Sequence, residues 1–486
     1  MVIEVQSSVP HPRVPEAVLF PFDDHSIPFS AGLRMQLVPG KGPGIKTPIV
    51  VPKGAAGAPD DERVRFYGTV LPSPEGDQLR MWYLGGSERS GGRLRVCYAE
   101  SSDGVQWEKP ALGLVEHNGS TANNLVDFNV GEASLAALPI LYDPDDLDPA
   151  RRYKCAFESG RYGNCLAVAF SPDGLRWSIP DFNPVAPMLE QTGLVKFNGC
   201  YFVNGQGGRH FGQGRKLVTF ASYDFERWTQ STCLGFRRDA LPPRPMETEW
   251  NTSEEVHLGA GLWDRGTVLV GVYDIWHGHP TGDRSFVTMD LGLVVTNDAL
   301  HYREPIPDFK LVPAREEIGA PSGRGPSVSH GQGMVNWGEQ TLLWYEIWGF
   351  GDVRLAAWPR DRLGFFQKYD YPGRPAWLPP GHPFVPVEPH CITCPLRTDG
   401  EAHVYVNVDG TGPHAELRVG VLDEHFRPVP GASGDSCLPV VENGLRQPVR
   451  WLGRDTVPER DGPFRLQVTM AGVRPEDVRL YAIYVA

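Results

Sequence analysis

A short pattern returns four times along the chain, and it limits the fold more than any other feature. Tyr98-Ala-Glu-Ser-Ser-Asp-Gly-Val-Gln-Trp107 comes first, then Val168-Ala-Phe-Ser-Pro-Asp-Gly-Leu-Arg-Trp177. Phe220-Ala-Ser-Tyr-Asp-Phe-Glu-Arg-Trp228 is a shorter copy, and Leu293-Val-Val-Thr-Asn-Asp-Ala-Leu-His-Tyr302 is the last. Each reads as a β-run, a turn on Asp103, Asp173, Asp224 or Asp298, and an aromatic that packs back on the sheet. Asp suits the turn because its carboxylate bonds nearby amides; Gly suits it because it accepts positive φ. Copies fall roughly 50 to 75 residues apart, the length of a four-stranded propeller blade.

The runs around each copy complete five blades. Blade one takes Arg63–Leu71, Gln78–Leu84, Leu94–Glu100 and a stretch near Leu114. Blade two takes Ala133–Tyr142, Tyr153–Glu158, Cys165–Phe170 and Pro184–Pro187. Blade three takes Gly193–Phe197, Cys200–Asn204, Lys216–Tyr223 and a weak fourth strand. Blade four takes His257–Trp263, Thr267–Trp276, Gly292–Thr296 and Phe309–Val312. Blade five takes Gly333–Trp337, Gln340–Ile347 and Val353–Trp358, with its fourth strand expected from the N-terminal segment, closing the ring. The expected organisation is an all-β chain: a five-bladed β-propeller over 1–370, a Pro-rich linker over 371–390, and a small antiparallel β-sandwich over 391–486.

Composition agrees with many short strands. The 486 residues include 55 Gly and 46 Pro, and aromatic residues reach 10%. A formal charge of −13 argues against a nucleic-acid partner, because such binders carry a basic excess. No apolar run is long enough for a membrane helix. Met1–Pro15 lacks a basic and apolar leader, so the cytoplasm is the expected location.

In a propeller the innermost strand of each blade meets a common axis, so a ligand there sees one or two residues per blade. The residues just before those strands are Asp60, Asp61 and Glu62, then Glu132, Glu190, Glu254 with Glu255 and His257, and finally His330 with Gln332. A carboxylate recurs in four blades of five. Glycoside cleavage needs such a set: one carboxylic acid protonates the leaving oxygen while a second activates water or attacks the anomeric carbon. The expected catalytic acids are Glu190 and Glu254, with Asp61 and Glu132 in support. Gln206, Arg209, His210, His257, Trp276, His277, His330 and Glu346 are expected to bind substrate from the ends of the second strands and from nearby loops. Trp348 and His279 lie beside them.

No cofactor is expected. His277-Gly-His279 shows no third ligand, and Cys391-x-x-Cys394 has no second close pair, so neither spells a zinc site. The two thiols read as buried members of a strand end. This many carboxylates could hold a structural cation in the channel. Neither a phosphate-binding Gly-rich loop nor a Gly-x-Ser-x-Gly elbow is present.

Several stretches resemble bacterial proteins of the glycosyl hydrolase 32/43-like group. They are Phe22-Asp-Asp24, Tyr67-Gly-Thr-Val-Leu71, Arg80-Met-Trp-Tyr83, Tyr98-Ala-Glu-Ser-Ser-Asp-Gly104, Lys196-Phe-Asn-Gly, Val203-Asn-Gly-Gln206, Val256-His-Leu-Gly-Ala260 and Leu480-Tyr-Ala-Ile-Tyr484. The resemblance covers most of the chain and implies the five-bladed propeller shared with arabinanases and fructosidases. The Trp-Met-Asn-Asp-Pro-Asn-Gly and Arg-Asp-Pro stretches of invertase-like enzymes are absent. By blade position the group's three acids fall on Asp61, Glu132 and Glu190 or Glu254. The resemblance implies a glycosidase acting on a carbohydrate, expected to be exo-acting. Two alternatives remain open: a phosphorylase drawing on Arg209, His210, Arg215 and Lys216 for phosphate, and a non-catalytic sugar-binding propeller. Oligomeric state is not legible.

Overall fold

The computed structural model describes residues 13–40, 47–87, 91–207, 214–238, 252–314, 325–348, 351–369, 378–383 and 388–486. Among these the chain forms β-strands and short 3₁₀ turns, with no α-helix. It divides into two compact units. The larger holds Pro39–Asp264 and Leu269–Ala357; the smaller holds 13–38, Arg265–Val268 and Trp358–Ala486.

The larger unit is a five-bladed propeller. Its inner strands are Arg63–Pro72, the pair Leu135–Ala137 and Ile140–Tyr142, Glu190–Phe197, Glu254–Asp264 and Val328–Trp337. Each pairs with the next strand in sequence, and the blades grow outward in order. Blade two's inner strand is split at Leu138-Pro139, where Pro cannot donate to the ladder. Blade one's outer edge is made by bridges at Glu108 and Leu125, not by a strand near Leu114. Blade five takes its outermost strand from Ile49–Val51, which pairs antiparallel with Val353–Pro359. The ring is thus closed by a strand from the N-terminal side, and Gln332 and Thr69 join the inner strands of blades five and one.

The repeat explains the blade edges. Asp173 Oδ1 accepts from the amides of Leu175 and Arg176, both at 2.8 Å, and Ser171 Oγ donates to it at 3.1 Å. Asp103, Asp224 and Asp298 do the same in their turns. The following position has positive φ: +78° at Gly104 and +79° at Gly174, but also +63° at Phe225 and +59° at Ala299. Trp107 and Trp177 then bond the carbonyls of Gly104 and Gly174 through their indole N–H. Fully buried Trp344 and Trp82, each from the preceding blade, donate to the same two carbonyls at 3.0 and 2.7 Å. One turn therefore stitches two blades.

The inner strands also converge. Four of them break register midway, between Arg65 and Thr69, Gln191 and Gly193, His257 and Ala260, and His330 and Met334. A Cβ at Gly193 would fall 2.1 Å from the Ala260 carbonyl, and one at Gly331 2.5 Å from that of Gly68, so backbones of different blades touch there. Gln332 accepts from the Leu194 amide at 2.6 Å and donates to the Ile140 carbonyl at 3.3 Å. Asn204 exchanges both amide bonds with Ala260. These contacts form a floor, and the starts of the inner strands rise above it.

The smaller unit is an antiparallel sandwich of two sheets. One runs Gly444–Pro448, Val404–Asp409, Arg479–Val485, Gly364–Lys368, Leu33–Leu37, with Ala17–Leu19 beside Arg479–Val485. The other runs Phe29–Ala31, His390–Ile392, Phe464–Gly472, Ala415–Asp423. Leu417, Val419, Val421, Leu466 and Val468 alternate into its core, where Trp451 is almost wholly buried.

Candidate active site at the strand-start end of the propeller

All five blades bring polar side chains to the end where the inner strands begin. Blade one contributes Arg65 and Tyr67; the Arg65 guanidinium lies 3.8 Å from the Tyr67 ring centre. Blade five answers with Glu346, 3.5 Å from Arg65 and also accepting from the Phe66 amide. Burial pushes the Glu346 carboxyl up to about 7, with Arg65 opposing and buried Asp274 adding to the rise. Arg65 feels Glu190 of blade three as well as Glu346.

Glu190 begins the inner strand of blade three and is half-buried. Gln206 holds it, donating to Oε2 at 2.8 Å, and Gln206 accepts from the Leu258 amide at 3.3 Å. Glu158 ends the second strand of blade two and is 8% exposed. Its carboxyl is pushed up to about 8, first by burial and then by the charge of Glu190. Among the described residues Glu158 Oε2 and the Gln191 side-chain amide have no hydrogen-bond partner, and both are buried. A buried carboxyl that keeps its proton near neutral pH can serve as a proton donor.

Blade four contributes an oriented histidine. Asp274 is fully buried and accepts from His257 Nδ1 at 2.7 Å, His330 Nδ1 at 2.6 Å and Ser329 Oγ at 2.6 Å. Burial alone would raise its carboxyl; the two histidines overcome that and hold it below the usual range. His330 Nε2 must accept from the Gly261 amide at 3.1 Å, so the His330 proton sits on Nδ1. His257 gives its Nδ1 proton to Asp274, and its Nε2 has no partner among the described residues. The rings of Trp276, Tyr67 and Trp348 surround His257 at 5.4, 6.4 and 6.5 Å.

The expected site residues separate into groups. Glu190, Gln206, His257, Trp276, His330 and Glu346 gather at this end. Trp276 is fully buried under Arg215, which lies 4.1 Å over its ring and pairs with Glu255 at 3.1 Å. Glu254 lies at the same end but is committed to His277 at 2.7 Å and Arg238 at 3.4 Å. His277 is clamped between Glu254 and Asp290, and these carboxylates raise its basicity against the effect of burial. Two positions need correction. Glu132 is an outward surface residue, its side chain 98% exposed and paired with Arg93 at 2.5 Å. Asp61 closes a tight turn, accepting from the Gly57 amide at 2.7 Å. Its neighbour Asp60 is buried and bound by Lys109 and Tyr83. Acids that precede a strand are often turn residues, and these are. Arg209 and His210 lie outside the described residues.

Glu158, Arg65, Tyr67 and Asp274 were not singled out by sequence reasoning. Glu158 stands at the end of its second strand as Gln206, His277 and Glu346 do in theirs, so the signal was register: the second strands of blades one and two were left unread. Among the described residues no group of His, Cys, Asp and Glu is arranged to hold a metal ion. The eight cysteines are free, and burial raises the Cys391 and Cys394 thiols to about 12 and 11. No helix among the described residues is long and apolar enough to cross a membrane.

No protein-family model matches the chain, and no curated protein matches it in sequence. Solved structures do. A glycosyl hydrolase from Bacteroides ovatus aligns at 16% identity and a TM-score of 0.45, covering 65% of this chain and 92% of the other. A structure from the GH130 family of mannoside phosphorylases, described as containing hydrolases that target β-1,2-mannosidic linkages in Candida mannan, aligns at 16% identity and 0.41, covering 67% and 94%. A fructofuranosidase from Schwanniomyces occidentalis aligns at 10% identity and 0.41, covering 90% and 97%. These likenesses concern chain architecture and assign no activity to this chain.

Proposed function

We propose that the chain is a glycoside hydrolase working at the strand-start end of its propeller. Glu158 is the acid that protonates the leaving oxygen, and Glu190 is the carboxylate that faces the developing positive charge on the sugar. The observation that carries this reading is Glu158 itself: a buried carboxyl held neutral up to about pH 8 beside the ionisable Glu190. A carboxyl at its ordinary value would hold almost no proton to give near pH 7. The floor made by Gln332 and Asn204 closes the axis below the site, which suits a substrate entering from one end and losing a terminal sugar. Arg65 and Arg215 are each matched by a buried carboxylate, which favours hydrolysis over a phosphate-consuming reaction. The test is release of the aglycone from a panel of aryl pyranosides and furanosides, with and without phosphate, by wild type, Glu158→Gln and Glu190→Gln. Activity lost in both variants and indifferent to phosphate is the expected result. Strict phosphate dependence would make the chain a phosphorylase.

A further inference from the structure

We infer that His257, oriented by Asp274, is the group that takes the proton from the attacking water; this rests on the hydrolase reading above. The geometry supplies three reasons. Asp274 has both oxygens engaged by the Nδ1–H groups of the two histidines, His257 at 2.7 Å and His330 at 2.6 Å, with Ser329 as a third donor. The His330 tautomer is fixed by the Gly261 amide, so His330 cannot accept a further proton without breaking that bond. Of the two, His257 keeps an Nε2 with no partner among the described residues, and the rings of Tyr67, Trp276 and Trp348 lie around it. A histidine held in one tautomer by a buried carboxylate, with its other nitrogen directed away, is the arrangement of a general base.

The step balances without further reagents. A water proton passes to His257 Nε2 as the water oxygen bonds the anomeric carbon. The glycosidic C–O bond breaks, and its oxygen takes the proton of the Glu158 carboxyl. The products are a hemiacetal with inverted configuration and a free alcohol. His257 is left as imidazolium beside the Asp274 carboxylate, Glu158 is left ionised, and proton exchange with water restores both. Glu190 acts through its charge and forms no bond. Asp274 is a positioning residue: its effect reaches the water only through His257.

The experiment uses the aryl glycoside that wild type cleaves, with His257→Ala and Asp274→Asn measured with and without azide. Azide needs no base, so it replaces water where the base is missing. Removing the base is expected to lower kcat by about 10²–10⁴-fold with KM little changed. Azide is expected to restore turnover and yield a glycosyl azide of inverted configuration. Asp274→Asn keeps the shape, but its amide N–H forces the His257 proton to Nε2, so the same loss and the same rescue are expected. Near-UV circular dichroism checks that each variant is folded, and His257→Gln stands in for an unfolded alanine variant. Folded variants that keep activity within tenfold, or lose it without azide rescue, overturn the inference while leaving Glu158 and the hydrolase intact. Glycosidase activity absent in wild type overturns both.

Discussion

Glu158 ties chemistry to stability through one proton. Its ordinary carboxyl value is 4.5, and in the folded chain it is about 8. Between those values the folded state keeps a proton that the unfolded state has released. Stability therefore falls as pH rises across that window, and levels off above it. Glu158→Gln removes the titration, so its melting temperature should exceed that of wild type by a margin that widens from pH 5 to pH 9. A constant margin in a thermal scan series would mean that Glu158 is already ionised near pH 5. Activity has the matching limb: turnover should decline above about pH 8 as the acid loses its proton. Glu158→Gln should cost about 10²–10⁴-fold on glycosides with poor leaving groups and far less on dinitrophenyl glycosides, which need no acid.

The placement of the proposed site was partly legible in residues. Glu190, Gln206, His257, His330 and Glu346 gather at one end because each stands near the same end of an inner or second strand. Glu132 and Asp61 were misplaced for a physical reason. A carboxylate before a strand can satisfy a turn amide, as Asp61 does, or solvent and an arginine, as Glu132 does, and sequence does not separate these from an axial position. Asp274 was missed because mid-strand register, and not a loop end, carries it to the site.

At the scale of elements, the repeated turn does more than end a strand. Its Asp satisfies two amides, and in two copies its carbonyl receives a tryptophan from its own blade and one from the blade before. Asp173→Ala leaves the Leu175 and Arg176 amides without their partner and should destabilise by about 1–3 kcal/mol, measured by urea unfolding. Phe225 tests the backbone part. It holds φ at +63°, where a residue with a Cβ costs about 1–2 kcal/mol, yet its ring is buried against Phe170, Tyr201 and Trp228. Phe225→Gly relieves the strain and removes the packing. Packing is the larger effect, so a net loss of about 2–4 kcal/mol is expected. A net gain would show that the turn geometry governs the blade edge. The repeat was readable because Asp, Gly and Trp each have one local task. The register breaks of the inner strands were not, because they arise from contact between blades distant in sequence.

For the molecule as a whole, the propeller depends on closure. Val51 is fully buried in the strand that completes blade five, and it faces Val353 across that pairing. The ring thus joins segments about three hundred residues apart in sequence. The N-terminal fourth strand was foreseen from the missing place in blade five. Gly331 marks the other constraint. Its Cβ would meet the carbonyls of Gly68 and Phe66 at 2.5 and 2.7 Å, both backbone atoms of the next blade. Gly331→Ala should therefore lower stability by about 1–3 kcal/mol and also reduce turnover, since His330 is adjacent.

The most direct measurement is aglycone release from the aryl glycoside panel by wild type beside Glu158→Gln and Glu190→Gln. The account predicts release by wild type from at least one glycoside, with both folded variants reduced by a hundredfold or more on poor leaving groups, about the range of acid catalysis. A wild type that cleaves while Glu158→Gln keeps full activity on those same substrates would contradict it.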